Sequence, residues 1–118
     1  MLLHITTPAA WADAQERGDY RDPSLDAEGF IHCSTPEQVL IPANERFAGR
    51  DDLCLLVIDA EALTERLVYE DCYESGHEFP HVYGPINLDA VTTTVAFPCG
   101  DDGTFTLPAL PALPGTSD

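Results

Sequence analysis

Two short segments centred on histidine carry the residues best suited to chemistry. Residues 29–34 contain His32 and Ser34, and residues 79–84 contain His81 and Tyr83. Each segment places an imidazole, which exchanges protons near neutral pH, beside a hydroxyl group that can donate or accept a hydrogen bond. We therefore predict that these four side chains meet in one polar pocket.

The first segment leads into a predicted helix. Ser34 and Glu37 have the spacing of a capping box, with Ser34 as N-cap, so free backbone N–H groups would lie beside His32 and form an anion or carbonyl site. The alternative is that Ser34 only caps the helix and His32 only bonds a neighbouring loop.

The second segment has a restricted backbone, because Pro80, Gly84 and Pro85 surround His81 and Tyr83. Such rigidity is useful where side chains must be held in position for a ligand. The alternative is a loop whose His81 and Tyr83 cap exposed backbone groups.

Further candidates are weaker. Glu70 ends a predicted strand and is the acid we expect near the two histidines, while Gln38 lies one turn beyond Ser34. Asn44 has no obvious structural duty, and Trp11 and Tyr20 are ligand candidates that belong more often to the core. Cys33 alternates away from His32 and is predicted to be core.

Charge excludes several classes of function. The 118 residues include 21 acids, five arginines and no lysine, for a net charge of -16. Without lysine there is no Schiff-base chemistry, and so negative a chain is a poor binder of nucleic acids or anionic membranes. We expect a small-molecule partner; the oligomeric state is not readable.

The chain length predicts one domain over residues 1–106, followed by a proline-rich, flexible tail over 107–118. No signal peptide or membrane-length apolar run is visible, which predicts a cytoplasmic protein. The four cysteines lack the spacing of a zinc site and are predicted to be free thiols.

The elements that must position these residues are read from periodicity and capping signals. We predict strands at 2–6, 29–32, 53–58 and 67–70, a strand or an extended crossing at 82–83, and a half-buried strand within 88–97. Helices are predicted at 8–17 and 35–47, with Pro42 as a kink or a break in the second. Residues 20–28 and 71–78 are predicted to be polar loops, and 59–63 a helical turn. The order lacks a regular βαβ alternation, which favours an α+β fold.

The two histidine segments, with Gln38-Val39 and Tyr69-Glu70 between them, resemble the small bacterial family known as domain of unknown function 952. The resemblance extends to about Phe97. It implies a split, mainly antiparallel α+β sheet with two main helices, similar in fold to ADP-ribosylating enzymes, whose cleft holds NAD.

By the same analogy, the residues of an ADP-ribosylating site would be His32 or His4, then Ser34 or Tyr83, and then Glu70. The cofactor is unknown, with NAD or ADP-ribose suggested by fold analogy alone.

Three functions remain open. One is an enzyme acting on a nucleotide or other small molecule, with His32, His81, Ser34, Tyr83 and Glu70 as catalytic residues. Another is a non-catalytic module that binds a small metabolite. The third is a metal site made by His32, His81 and Glu70.

Overall fold

The computed structural model describes residues 1–71 and 76–111. This part of the chain contains eight strands and three helices, and the helices all precede β4. Their bounds are β1 Leu2–Thr6, α1 Pro8–Arg17, β2 Asp19–Tyr20, α2 Pro23–Glu28, β3 Ile31–His32, α3 Leu40–Arg46, β4 Cys54–Ile58, β5 Leu67–Glu70, β6 Phe79–Val82, β7 Ile86–Asn87 and β8 Val91–Ala96. Short 3₁₀ turns at Ala60–Ala62 and Leu88–Ala90 precede β5 and β8.

Every described strand pair is antiparallel. The strand orders are β1-β4-β8, β3-β6-β5 and β2-β7. A bridge between Leu3 and Ser34 connects β1 to the residues that follow β3, so the first two sheets meet beside the histidine segment. The predicted α+β class with antiparallel sheets is confirmed.

Alternation along β1 and β4 places a core on each side of the first sheet. Leu2, Leu56 and Ile58 pack in one cluster with Ile31 and Val82, which come from the β3-β6-β5 sheet. On the other side, the apolar cluster comprises Leu3, Val39, Ala43, Leu53, Leu55, Val57, Phe97 and Phe105. All of β4 is buried, as its unbroken apolar sequence predicts.

The first helix forms as its sequence predicts. Thr7 accepts a hydrogen bond from Ala10 N–H, Pro8 occupies the first turn, and Gly18 ends the helix with a φ of 103°. A positive φ is tolerated by glycine at little cost.

Residues 20–28 do not form the predicted loop. Asp19–Tyr20 is β2, and Pro23–Glu28 is α2. Asp22 accepts a hydrogen bond from Ser24 N–H, and Pro23 follows it, which repeats the cap-then-proline arrangement of Thr7 and Pro8. The prediction was wrong because the three acids of this stretch, Asp22, Asp26 and Glu28, obscured that signal.

The predicted helix over 35–47 is shorter than expected and begins later, at Leu40. Ser34 is not its cap, because its carbonyl oxygen accepts Leu3 N–H at 2.7 Å and so extends the strand pairing. Thr35 takes the capping role for a turn, with Gln38 Oε1 accepting Thr35 N–H at 3.4 Å. The prediction of a helix N-terminus beside His32 was therefore wrong, because the helix begins at Leu40.

The Asp59-capped turn and β5 agree with expectation. β6 spans Phe79–Val82 instead of 82–83, β8 occupies only Val91–Ala96 of the predicted stretch 88–97, and β7 at Ile86–Asn87 was not predicted. Cys33, Cys54 and Cys99 are free thiols, and Cys33 is buried in the core as predicted. Part of the predicted 71–78 loop, residues 72–75 with Cys72, lies outside the described residues. So do residues 112–118 of the predicted tail, and in its described part Leu110 packs against the core. No described helix is long and apolar enough to cross a membrane.

Candidate functional site

His32 and His81 face each other across two paired strands. They are directly opposite in the antiparallel register of β3 and β6, which puts their side chains on the same face of the sheet. Their ring centroids are 5.2 Å apart, with the ring planes nearly perpendicular. The predicted meeting of the two histidine segments is thus observed as a strand pair.

His81 is held by a carboxylate and an aromatic ring. Its Nδ1 lies 2.9 Å from Glu70 Oε1, and the Tyr83 hydroxyl donates to the same oxygen. Phe30 stacks on the imidazole at 4.1 Å between centroids. An imidazole that donates from Nδ1 to a carboxylate carries its lone pair on Nε2 when neutral, which is the form of a base.

His32 has a carboxylate partner of its own. Its Nε2 lies 2.8 Å from Glu28 Oε2, four residues earlier. Burial lowers the pKa of His32 below its ordinary value, and the electrostatic effects of Arg46 and His81 act in the same direction, against the attraction of Glu28. His32 is therefore mainly neutral at pH 7 and able to exchange a proton.

The two imidazoles lie at a cleft of about 290 Å³ between the β3-β6-β5 sheet and α3. Its polar lining consists of His32, Ser34, Glu45, Arg46, His77 and His81. Ile41, Pro42 and Phe79 supply apolar surface. The volume is close to the lower limit for small-molecule pockets.

A second cavity of about 240 Å³ adjoins the first. It adds His4, Asp22, Ser24 and Glu28 to the polar surface, and it shares a wall with the first cleft made by His32, Ser34, Pro42 and Arg46. We call these four residues the shared wall. All four histidines of the chain line one or both cavities.

Ser34 is the most informative member of the shared wall. It is 5% exposed, and its hydroxyl makes no hydrogen bond to any residue in the described part of the chain. Its backbone is fixed by the bridge to Leu3. Among the described residues no fully buried side-chain oxygen or nitrogen lacks a partner, so the Ser34 oxygen remains accessible from the cavities that the residue lines and is suited to a ligand atom in either one.

A buried polar network lies behind the second cavity. His4 Nδ1 donates to the carbonyl oxygen of His32, and His4 Nε2 lies 2.8 Å from the Tyr20 hydroxyl and 3.5 Å from Asp22 Oδ1. Burial opposes the charged form of His4, but the oxygens of Tyr20 and Asp22 raise its pKa well above the ordinary value. Burial also opposes the charged form of Asp22, yet His4 and Ser24 hold its pKa well below its usual range.

The structure brings together some of the predicted site residues. Glu70 and Tyr83 are hydrogen-bonded to each other, and Glu70 also to His81, which lies opposite His32. Ser34 lines the first cleft with both histidines, whereas Glu70 and Tyr83 line neither cavity. The Nε2 of Gln38 donates to the carbonyl oxygen of Glu78 at 2.8 Å.

The other predicted ligand-binding residues lie elsewhere. Tyr20 is 1% exposed within the His4 network, and Trp11 packs against the first core cluster. Asn44 has a structural contact that the sequence did not reveal, since its Oδ1 accepts Phe105 N–H at 2.8 Å. None of the three lines either cavity.

The metal interpretation is not supported by this arrangement. Over residues 1–71 and 76–111, no group of three histidine, cysteine or acidic side chains is placed to hold a metal ion. His81 Nδ1 and His32 Nε2 are each directed at a different carboxylate. His32, His81 and Glu70 therefore do not form the predicted metal site.

Sequence reasoning missed Arg46 and the pair His4–Asp22. The sequence signal narrows the arginines only to two. Arg17, Arg21 and Arg50 each form an ion pair with an aspartate two residues away, whereas Arg46 and Arg66 have no acid at that spacing. His4 and Asp22 meet only through tertiary packing, and no local pattern could have paired them.

Comparisons with known proteins agree on one family. The model of the family described as "Protein of unknown function (DUF952)" matches residues 5–94. The crystal structure of CC0527 from Caulobacter crescentus is similar at 33% identity and a TM-score of 0.80, covering 90% of this chain and 93% of that chain. The solution NMR structure of CC0527 is similar at 34% identity and a TM-score of 0.75, covering 87% of this chain and 89% of that chain. No curated protein matches.

Proposed function

For a chain that belongs to the DUF952 family of proteins of unknown function, we propose a cleft enzyme that binds a small anionic molecule, such as a nucleotide, and transfers protons on it. The observation that carries this proposal is the Glu70–His81 pair facing His32 across β3 and β6. A carboxylate-held imidazole opposite a second, neutral imidazole supplies the two positions that acid–base chemistry needs.

Arg46 is the basis for an anionic ligand. In a chain of net charge -16, it lies in the shared wall beside the Ser34 hydroxyl. A guanidinium and a hydroxyl that both line the two cavities are suited to the oxygens of a phosphate or carboxylate.

The size of the cleft supports a nucleotide fragment better than a whole dinucleotide. NAD or ADP-ribose enters by analogy with the ADP-ribosylation-like fold, which we retain as part of the proposal. We also infer a cytosolic location, because three free thiols fit a reducing compartment.

A thermal-shift panel with inorganic phosphate, nucleoside monophosphates, ADP-ribose and NAD tests the binding part of the proposal. A ligand at about 100 times its Kd adds roughly 2.7 kcal/mol, which for a domain of this size is about 10 °C in Tm. We expect the shift to be lost in Arg46→Gln and retained in the matched control Arg50→Gln, since Arg50 is paired with Asp52.

No shift with any anion at millimolar concentration, or equal loss of the shift in both variants, would contradict the binding proposal. For the chemical step, His81→Asn and Glu70→Gln should each slow turnover of a substrate identified in this way by about 10²–10⁴-fold. Unchanged turnover in both would remove the pair from the mechanism.

The second candidate is a non-catalytic module that binds a metabolite at the same cleft. It is favoured by the burial of His81, which is 1% exposed and stacked on Phe30. Under this function, His81→Asn changes ligand affinity, and no hydrogen exchange or bond cleavage in the bound ligand is detected by NMR.

A further inference from the structure

Beyond the first cleft, we propose that the adjoining cavity is a second lobe of the same binding site, and that it takes the hydrogen-bond-donating arm of a ligand whose anionic group lies at the shared wall. This inference rests on the proposed function, because it places the anion beside Arg46. The Ser34 hydroxyl lies in that wall and makes no bond within the described residues, so a ligand reaching either cavity can bond to it.

The polar groups found only in the second cavity are acceptors. Asp22 is ionised, because His4 and Ser24 overcome the effect of burial on its pKa. Glu28 supplies a second carboxylate. Ser24 Oγ donates its proton to the carbonyl oxygen of Phe30 at 2.9 Å, which leaves lone pairs on the hydroxyl oxygen.

His4 offers no donor to this cavity. Its Nδ1 is directed at the carbonyl oxygen of His32, and its Nε2 at Tyr20 and Asp22. The lobe is therefore rich in acceptors, whereas the shared wall contains the guanidinium donor Arg46. The complementary ligand has an anionic end and an arm that carries N–H or O–H groups.

Two chemical sources provide such an arm. One is the hydroxyl groups of a sugar phosphate, and the other is the ammonium group of a phosphorylated amine. Ribose 5-phosphate and phosphoethanolamine represent them, and inorganic phosphate represents the anion without an arm.

An amide ¹H–¹⁵N NMR titration of the full chain with the three probes tests the proposal. Phosphate should shift the amide signals of Ser34 and Arg46 alone. A probe that carries an arm, either ribose 5-phosphate or phosphoethanolamine, should also shift the amide signals of Ile5, Ser24 and Glu28. It should bind at least about tenfold more tightly than phosphate. If ribose 5-phosphate binds more tightly than phosphate, the cavity recognises hydroxyl groups; if phosphoethanolamine does, it recognises an ammonium group.

Two variants test whether the second cavity is the source of the higher affinity of ribose 5-phosphate or phosphoethanolamine. Ser24→Ala changes a residue that lines the second cavity and not the first, and Glu28→Gln removes a carboxylate from the second cavity; each should reduce the advantage of ribose 5-phosphate or phosphoethanolamine over phosphate about fivefold or more. Asp26→Asn, which neutralises another carboxylate of α2 at a residue that lines neither cavity, should leave that advantage unchanged. The amide spectrum of each variant shows directly whether it is folded.

The outcomes separate the two proposals. If phosphate binds at Ser34 and Arg46 but neither arm adds affinity or shifts Ser24, the second lobe is overturned and the anion site remains. If no probe perturbs Ser34 or Arg46, both proposals fail.

Discussion

At the scale of single residues, the site depends on histidines that are each held by an oxygen acceptor. His81 is bonded to Glu70, His32 to Glu28, and His4 to the His32 carbonyl group. Through that last bond His4 fixes the backbone of His32. Stability and site geometry are therefore coupled at His4, which is 4% exposed.

Replacement of His4 by glutamine should reduce the free energy of unfolding by about 2–3 kcal/mol, because it removes a cation from beside the half-buried Asp22 carboxylate. Urea denaturation measures the loss. In a double-mutant cycle with Asp22→Asn, the second substitution should cost less in the His4→Gln background than in the wild type. Strictly additive losses would show that the two side chains are not coupled.

The same pair predicts how stability depends on pH. His4 has an ordinary pKa of 6.5 and a raised pKa in the folded protein, so its contribution is complete below pH 6.5 and is lost as pH rises towards the folded value. Asp22 has an ordinary pKa of 3.8 and a lowered folded pKa, so its contribution is complete above pH 3.8 and is lost as pH falls.

Together they give greatest stability between about pH 4 and 6.5. Denaturation midpoints recorded from pH 4 to 9 should fall above pH 6.5 in the wild type, and this fall should be smaller in His4→Gln. A wild-type midpoint that rises from pH 6.5 to 9 would be inconsistent with a charged His4.

At the scale of elements, the side chain of Asn44 hydrogen-bonds α3 to the C-terminal segment, which also packs against α3 in the second core cluster. Asn44 Oδ1 accepts Phe105 N–H, and Phe105 stacks on Phe97 in the second core cluster. We expect Asn44→Ala to cost about 1 kcal/mol of stability and to leave probe affinity unchanged. Asn44→Asp, which keeps an acceptor oxygen, is the matched control. Lost affinity without lost stability would instead make Asn44 a ligand-binding residue.

How far the elements can be read from sequence depends on whether their signals are local. The helix at Pro8–Arg17 follows from Thr7, Pro8 and Gly18, and β4 from its unbroken apolar run. The start of α3 could not be predicted in this way. A local capping pattern at Ser34 lost to a tertiary strand bridge with Leu3, which uses the same carbonyl group.

In the candidate site too, residues marked by a local sequence pattern could be predicted, whereas contacts formed by tertiary packing could not. His32 and His81 were identified by their neighbours in sequence, and the antiparallel register then placed them face to face. The pairing of His4 with Asp22 was not predicted, because their contact joins β1 to the start of α2 and depends on tertiary packing. Tyr20 and Asn44 were predicted to be ligand residues because the contacts that give them a structural role, with His4 and Phe105, are distant in sequence.

At the scale of the whole molecule, net charge opposes compactness. A chain with 21 acids and five arginines repels itself at neutral pH. We expect Tm to rise as NaCl increases from about 0.02 to 0.5 M, where the Debye length falls below about 5 Å. Sucrose of matched osmolality is the control for solvent effects that do not screen charge. A steady fall of Tm over this range would contradict the expectation.

The central claim is that an anionic ligand binds in the cleft lined by His32 and His81, beside Arg46. The most direct test is a long-range ¹H–¹⁵N NMR titration with ribose 5-phosphate, in which the four imidazoles give separate signals and the Trp11 indole serves as an internal reference in the core. We predict saturable shifts at His32 and His81 with the Trp11 indole unmoved. Unchanged imidazole signals up to millimolar ligand, or shifts confined to Trp11, would contradict it.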